Sequence, residues 1–394
     1  MTTATLDATG ALLEVYKRSG PVFTAGEGCR LIAEDGTRYL DFTAGIAVNA
    51  LGYGSSVIAD AIREALDAGL IHTSNLFHTR PAAELAEWLV ERSFADRAFF
   101  CNSGAEANEG AIKFARRWAR ETGGENKTEI VAFLGGFHGR TMGALAATDR
   151  PAYQAPFKPL MPGVRFGVVG DVKEAERLIR PERTAAVIIE PLQAEGGVLP
   201  VPPAFLKALR YLCDEAGALL IFDEVQVGLG RTGTLWAHEQ AGVTPDLMTV
   251  AKPLAGGLPM GAVLLTERVA ETIQPGDHAT TFGGGPLVAS AALATVRTIG
   301  EPAFLDEVRQ KGHYLANLLQ SLVVRRSGKV KAVRGTGLIW GIEIDGSAGE
   351  VVSRAMEAGL LLCSAGPNVV RIVPPLVIGE AELAEGIEIL DEVL

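Results

Sequence analysis

Between about residues 95 and 265, short continuous apolar runs alternate with stretches of helical spacing. The runs are RAFFCN (97–102), EIVAFLG (129–135), AAVIIEP (185–191), GALLIFDEV (217–225), DLMTVAK (246–252) and GAVLLT (261–266). Helices are predicted at 104–120, 171–179 and 203–216. Strands that are apolar throughout, rather than at every second residue, belong to sheets covered on both faces. The pattern therefore predicts an α/β fold with a mostly parallel central sheet flanked by helices. Upstream, residues 26–45 read as a hairpin around Glu34-Asp35-Gly36, and 57–70 and 81–92 read as helices. After about 290 the texture changes to helix, hairpin and helix. VRGTGLIWGIEID (333–345) reads as strands around glycines, and VVRIVPPLVI (369–378) as a strand broken by Pro374-Pro375 before a closing helix. The expected organisation is a large domain over 55–288 and a smaller α/β domain over 289–394, which the N-terminal segment 1–54 joins.

Composition narrows the function. Of 394 residues, 48% are hydrophobic and 21% charged, which is ordinary globular usage. Lys and Arg total 36 against 47 Asp and Glu, a net charge of −11 that disfavours nucleic acid. The densest basic stretch, RRSGKVK (325–331), reads as a solvated loop. Cys29, Cys101, Cys213 and Cys363 lie far apart without a C-x-x-C pair, so free thiols in a reducing, cytoplasmic setting are expected, with no metal site. The N-terminus lacks the basic-then-apolar layout of a signal peptide. The apolar window 247–266 holds Lys252, two prolines and Gly256-Gly257; it reads as a core with a lysine inside it, not a membrane span.

Ligands of parallel α/β sheets sit beyond the carboxyl ends of the strands. The polar residues that close the apolar runs are Asn102, Glu190, Asp223 and Lys252. Desolvation lowers a lysine pKa and makes the amine nucleophilic, although a strand-end lysine also snorkels to solvent. A carboxylate such as Asp223 at the end of a buried strand wants a positive partner: a protonated pyridine nitrogen, an arginine or a metal. The magnesium reading of Asp223-Glu224 lacks the G-x-x-x-x-G-K-[ST] loop that would accompany it. Ser103 and Glu106 fit a capping box, and Ala107, Ala111, Phe114, Ala115 and Trp118 form an apolar face behind it. The helix start beside Gly104 is suited to an anion such as phosphate. GLGRTG (228–233) matches G-x-G-x-x-G, but no amphipathic helix follows, and a glycine-rich loop is the better reading. Phe137 could stack on a flat ring, Arg140 could clamp a carboxylate, and Arg371 is a cation among apolar residues that needs an anion.

In order, the motifs read NSGAEAN, GFHGRT, EPLQAEGGV, LLIFDEVQVGLGRTG, TVAKPLAGGLPMGA, HATTFGGGPL and VVRIVPPLVI. Together they resemble the class III pyridoxal-phosphate-dependent aminotransferases of fold type I, from 72 to the C-terminus. The resemblance implies a transaminase that moves an ω-amino group to 2-oxoglutarate, working as a cytoplasmic homodimer with shared active sites. It implies that Lys252 carries pyridoxal 5′-phosphate and shuttles the proton, and that Asp223 pairs with the ring nitrogen. Val225 and Phe137 would face the two sides of the ring, and Gln226 its phenolic oxygen. Ser103, Gly104 and Ala105 would hold the phosphate, with Thr281 from the other subunit. Arg371 would bind the substrate α-carboxylate, Glu195 would shield Arg371 when the ω-amine binds, and Arg140 would take the second carboxylate. The chain departs from the family at Gly285, where Asn is common, and at His78, where many members have Tyr. An aminomutase of the same fold would not be expected to keep both Arg371 and Glu195. A nicotinamide oxidoreductase would rest on GLGRTG alone, and a cofactor-free scaffold has no use for Lys252, Asp223 and the phosphate helix together.

Overall fold

The computed structural model describes residues 12–16, 18 and 20–394. The first eleven residues of the N-terminal stretch, which lacks a signal-peptide layout, lie outside the described residues. Three antiparallel strands come first: β1 (Phe23–Glu27), β2 (Arg30–Ala33) and β3 (Arg38–Asp41), with β2 and β3 forming the expected hairpin. Helices Ser56–Asp67 and Arg80–Glu91 follow.

The large sheet contains β4 (Arg97–Cys101), β5 (Glu129–Phe133), β6 (Val164–Gly167) and β7 (Thr184–Ile189). A two-residue ribbon, β8 (Leu192–Gln193) with β9 (Leu199–Pro200), stands apart from it. β10 (Leu219–Asp223), β11 (Leu247–Val250) and β12 (Gly261–Leu265) complete the seven strands, in the order β4-β12-β11-β10-β7-β5-β6. Only β12 runs against its neighbours, pairing antiparallel with both β11 and β4. The carboxyl ends of β4, β5, β7, β10 and β11 therefore open on one edge. β5, β7, β10, β11 and β12 are buried at every residue, which is why they read as unbroken apolar runs.

Alternation along these strands sorts their side chains into two cores. Ile130, Ile188, Leu219 and Ile221 pack under the helix Gly104–Gly123. Val131, Val187, Leu220 and Phe222 pack under the helix Pro203–Ala216. Asp223 has the parity of Leu219 and Ile221, and so emerges beneath the helix 104–123.

β13 (Val330–Thr336), β14 (Ile339–Ile344), β16 (Cys363–Ser364) and β17 (Val369–Ile372) form a second sheet, ordered β13-β14-β17-β16. The short β15 (Leu360–Leu361) instead pairs in parallel with β3, tying the N-terminal hairpin to the C-terminal region. Helices Pro302–Arg325, Ala348–Glu357 and Glu380–Val393 cover this part, and one apolar core runs from Leu40 and Phe42 through Leu315 and Ile342 to Leu390.

Three details differ from the expectations. β6 is an extra parallel strand with no apolar run, because VRFG is an edge strand with Arg165 exposed. The strand before Lys252 stops at Val250, and Lys252 itself opens a 3₁₀ turn. RRSGKVK is a solvated loop only at its centre: the exposed turn 326–329 joins the end of the helix 302–325 to β13, with Arg325 and Arg326 paired to Asp391 and Lys331 to Asp345.

The packing at Gly386 generates a test. Replacing a mid-helix glycine by alanine ordinarily stabilises by up to about 1 kcal/mol. A Cβ on Gly386, however, would overlap the Phe42 ring, which is fully buried. Gly386→Ala should therefore lower stability by about 1–3 kcal/mol in urea unfolding. Gly349→Ala, whose added Cβ would meet only the Ser347 Oγ at 3.6 Å, should not. Equal effects at both positions would reject this packing.

Candidate active site

The strand edge described above opens into a cavity of about 470 Å³, within the range of small-molecule sites. Ser103, Gly104, Ala105, Phe137 and Arg140 line it, together with Asp223, Val225, Gln226 and Lys252. Glu195 and Arg371 adjoin it through Gln226. Thr281 lies elsewhere, against His72–Thr79 and Gly284-Gly285.

The helix 104–123 begins with the Ser103 hydroxyl accepting from Glu106 N–H at 3.2 Å. Half of the expected capping box forms: the Glu106 carboxylate reaches Asn102 N–H at 2.5 Å instead of the Ser103 N–H. Gly104 and Ala105 supply the next two N–H groups, which have no partner among the described residues. A Cβ on Gly104 would sit 2.5 Å from Val225 Cγ1, so only glycine lets the helix start come this close.

Asp223 is buried, and its carboxylate is held on both sides. Its Oδ2 accepts from Asn108 Nδ2 at 2.7 Å and faces His138 Nδ1 at 2.8 Å. Its Oδ1 accepts from Val225 N–H at 3.0 Å. A carboxylate offers about four acceptor sites, so a position facing the cavity stays open. The Asn108 oxygen accepts from Thr249 Oγ1 at 2.8 Å, which fixes the amide's orientation. Burial works against charge on His138, but its hydrogen bond to Asp223 and the Asp223 charge outweigh it and raise its pKa. Glu190 accepts from Phe137 N–H at 2.9 Å and Ala194 N–H at 3.2 Å, joining the loops after β5 and β7. Burial, the largest influence, and the neighbouring Asp223 push its pKa up to about 7, while His138 opposes the shift.

Lys252 is half-buried at the cavity floor with φ +30°, in a region that L-residues rarely adopt. Burial and then the Arg371 charge lower its pKa to about 8, against the pull of Glu195, Glu190 and Asp223. The two predicted arginines are in opposite states. Arg371 is 1% exposed; its Nη1 pairs with Glu195 and donates to Gln226 Oε1 at 3.0 Å and Ala194 O at 3.2 Å. Arg140 is exposed at the rim, stacked 3.5 Å from the Tyr153 ring centroid, with no carboxylate partner among the described residues.

Glu224 is structural. Its carboxylate accepts from Ala237 and His238 N–H and faces His238 Nδ1 at 2.7 Å. The GLGRTG loop starts no helix, and the buried Arg231 within it donates to Leu338 O and Pro374 O. The roles of Asn108 and His138 were missed from sequence. Asn108 was findable, since a polar residue at 108 shares the buried stripe with Ala111 and Ala115, at i+3 and i+7. His138 carried no such signal.

The profile described as "Aminotransferase class-III" matches residues 15–394. A mitochondrial acetylornithine aminotransferase of Alnus glutinosa is 53% identical over 390 residues, 98% of this chain and 86% of that protein. The acetylornithine aminotransferase of Methanocaldococcus jannaschii is 45% identical, covering 97% of this chain and 95% of that one. Among solved structures, N-acetylornithine aminotransferase of Stenotrophomonas maltophilia superposes with a TM-score of 0.84 at 38% identity over 96% of both chains. Ornithine aminotransferase of Toxoplasma gondii reaches 0.93 at 29% identity, over 98% of this chain and 92% of that one. Another structure of the Toxoplasma enzyme carries pyridoxal phosphate at partial occupancy in its active site.

The lowered pKa of Lys252 is open to measurement. Only the neutral amine attacks an acylating reagent, so labelling should rise with pH and reach half its plateau near pH 8. Exposed lysines should do so near pH ~10.4. Glu195 pulls the pKa upward, so Glu195→Gln should move the midpoint lower still. Peptide mass spectrometry of the cofactor-free protein reads both; a Lys252 midpoint near 10 would refute the description.

Proposed function

The chain belongs to the class-III aminotransferases, pyridoxal-phosphate-dependent transaminases, and we propose that it moves the terminal amino group of N2-acetylornithine to 2-oxoglutarate, giving the semialdehyde and glutamate as in arginine biosynthesis. The observation that carries this reading is the contrast of two arginines around one lysine: Arg371 shielded by Glu195, and Arg140 without a carboxylate. An ω-amine donor brings no carboxylate next to its reacting carbon, whereas glutamate does. A site that serves both needs an arginine whose charge is covered in one half-reaction and uncovered in the other.

The residues present fit pyridoxal 5′-phosphate. The open N–H groups of Gly104 and Ala105, beside Ser103, are a phosphate cradle. Asp223 keeps an acceptor position toward the cavity, as a protonated ring nitrogen requires. Phe137 and Val225 supply apolar contacts to a flat ring and Gln226 a hydrogen bond to its phenolic oxygen. When bound, this cofactor supplies a ring that accepts the electron pair left as a proton departs from the substrate carbon.

The chain's own groups do the rest. Lys252 Nζ, with its pKa lowered to about 8, is neutral in about a tenth of molecules at pH 7, far more than an ordinary lysine, and so can take the proton from one carbon and return it to another. His138 and Asn108 hold the Asp223 carboxyl group in place and oriented. With the ω-amine bound, Glu195 stays on Arg371, and Arg140 takes the donor's distant carboxylate. With glutamate bound, Glu195 withdraws, Arg371 takes the α-carboxylate and Arg140 the side-chain carboxylate.

The working unit in this reading is a homodimer. Exposed Phe77 lines a pocket with Thr281, and Leu76 and Phe282, their chain neighbours, are exposed too, an apolar patch suited to a second copy of the chain, whose Thr281 would complete the phosphate site. Four unpaired cysteines support a reducing compartment, the cytoplasm; no described helix is long and apolar enough to cross a membrane.

The reading is tested by supplying the purified holoprotein with 2-oxoglutarate and each of several amines. N2-acetylornithine should give the highest kcat/KM for glutamate formation, ahead of ornithine, succinyl-diaminopimelate and 4-aminobutyrate. Lys252→Ala should lose more than ~10⁴-fold in turnover, since it removes both covalent and acid–base catalysis. The active species should sediment as a dimer. A better donor than acetylornithine, or a fully active monomer, would correct the respective assignment.

Glu195→Ala separates the two half-reactions. Without the glutamate, Arg371 is left uncompensated when the ω-amine binds. The ω-amine half-reaction should fall about ten- to a hundredfold in kcat/KM, while the glutamate half-reaction improves. A parallel loss in single-turnover rates of both would mean that Glu195 only stabilises its loop.

A further inference from the structure

Arg371 sits in a row across three strands. In the register of the second sheet it pairs with Gly341 of β14 on one side and with Cys363 of β16 on the other. Residues directly opposite each other on neighbouring strands project to the same face. At Gly341 that face is bare: a Cβ there would lie 2.9 Å from Val198 Cβ and 3.1 Å from Gly197 O. The loop that bears Glu195 therefore rests directly on the sheet backbone, pinned by Arg334 Nε donating to Gly197 O at 2.7 Å. On the other side the Cys363 sulfur accepts from Arg371 Nε at 3.4 Å.

The acceptors around the guanidinium thus fall into two groups. Those on Nη1, namely Glu195, Gln226 Oε1 and Ala194 O, all come from loops. The one on Nε comes from a paired strand. A buried cationic donor loses free energy when left without an acceptor, and among the described residues Cys363 is the only acceptor on that edge. We propose that Cys363 is a positioning residue, which holds the Nε edge of Arg371 in place while the Nη1 edge exchanges Glu195 for the α-carboxylate of glutamate. This rests on the transaminase reading of the site. Sulfur is a weak acceptor, so it fixes the guanidinium without competing with a carboxylate for its charge. The consequence is specific to one half-reaction. With Glu195 in place the loop side also holds Arg371, and the thiol matters little. Once Glu195 withdraws, only the neutral Gln226 Oε1 and Ala194 O remain on the loop side, and the thiol is the contact that aims the guanidinium from a paired strand.

The test compares Cys363→Val, which keeps the volume and removes the acceptor, with Cys363→Ser, which keeps an acceptor. Single-turnover rates of the holoprotein with glutamate and with the ω-amine are measured, together with calorimetric binding of glutarate, an unreactive dicarboxylate. Cys363→Val should raise the KM for glutamate and the Kd for glutarate roughly five- to twentyfold, as for one lost hydrogen bond to a charged group. Its effect on the ω-amine half-reaction should stay within about threefold, and Cys363→Ser should recover most of the loss, within about threefold of the parent. Equal losses in both half-reactions, an unchanged glutamate KM in Cys363→Val, or a serine variant as impaired as the valine would each overturn the proposal. Absence of any glutamate half-reaction in the unsubstituted protein would overturn it together with the reading it rests on, and that result is visible before a variant is made.

Discussion

Asp223 is a carboxylate taken out of water at the end of a strand whose other residues are wholly apolar, and such a charge survives only where fixed partners replace its hydration. Meeting that requirement organises the site. Strand parity turns the side chain under the helix 104–123, where Asn108 is the one polar residue buried on the facing stripe. The Asn108 amide is fixed by Thr249 from β11 and also donates to His138 O. His138 comes from the loop after β5, and its backbone is tied to Thr148 Oγ1 at 2.8 Å. One buried carboxyl group thus ties together a helix, the loop after β5 and a neighbouring strand.

Lys252 poses the complementary problem. A residue ending a strand would point along the sheet, and an amine held against other cations prefers solvent. Its left-handed φ, worth about 1–3 kcal/mol of strain, turns the chain into a 3₁₀ turn directly after β11. Pro253 and the left-handed Gly256 that closes the turn leave the segment few alternatives. The side chain is left at the cavity floor, facing Glu195, Glu190 and Asp223 as well as Arg371. Burial and Arg371 favour the neutral amine, but the three carboxylates keep the pKa from falling further. The result is an amine able to carry a proton in either direction near neutral pH.

Much of this was legible in the sequence because burial on both faces writes itself as uninterrupted apolar runs. The polar residues closing those runs, Glu190, Asp223 and Lys252, all came to the cavity. What escaped had a physical reason. β6 is an edge strand and carries no apolar signature. His138 sits in a glycine-rich loop without periodicity, and its bond to Asp223 spans 85 residues of chain. Cys363 lies under Arg371 through a strand register that composition does not encode. Arg371 was readable as a charge needing a partner, but its 176-residue separation from Glu195 meant that only the resemblance to a family paired them. Thr281 remains outside the cavity of its own chain.

In the proposed reading, the two arginines would let one pocket distinguish carboxylates by position. Arg371 belongs to a strand, is almost fully buried and has its charge covered. A ligand must displace Glu195 to use it, so occupancy by an α-carboxylate is conditional. Arg140 belongs to the loop after β5, and its guanidinium carbon sits over the Tyr153 ring, 3.5 Å from the centroid, a contact with the ring face that uses no carboxylate. A carboxylate arriving there displaces nothing. The open arginine therefore suits the feature that both substrates share, a carboxylate several bonds from the reacting carbon, while the covered arginine suits the feature that only one of them has. Exchanging these environments would make the shared interaction depend on loop movement and leave an uncovered charge beside the reacting carbon for a donor that has nothing to place against it.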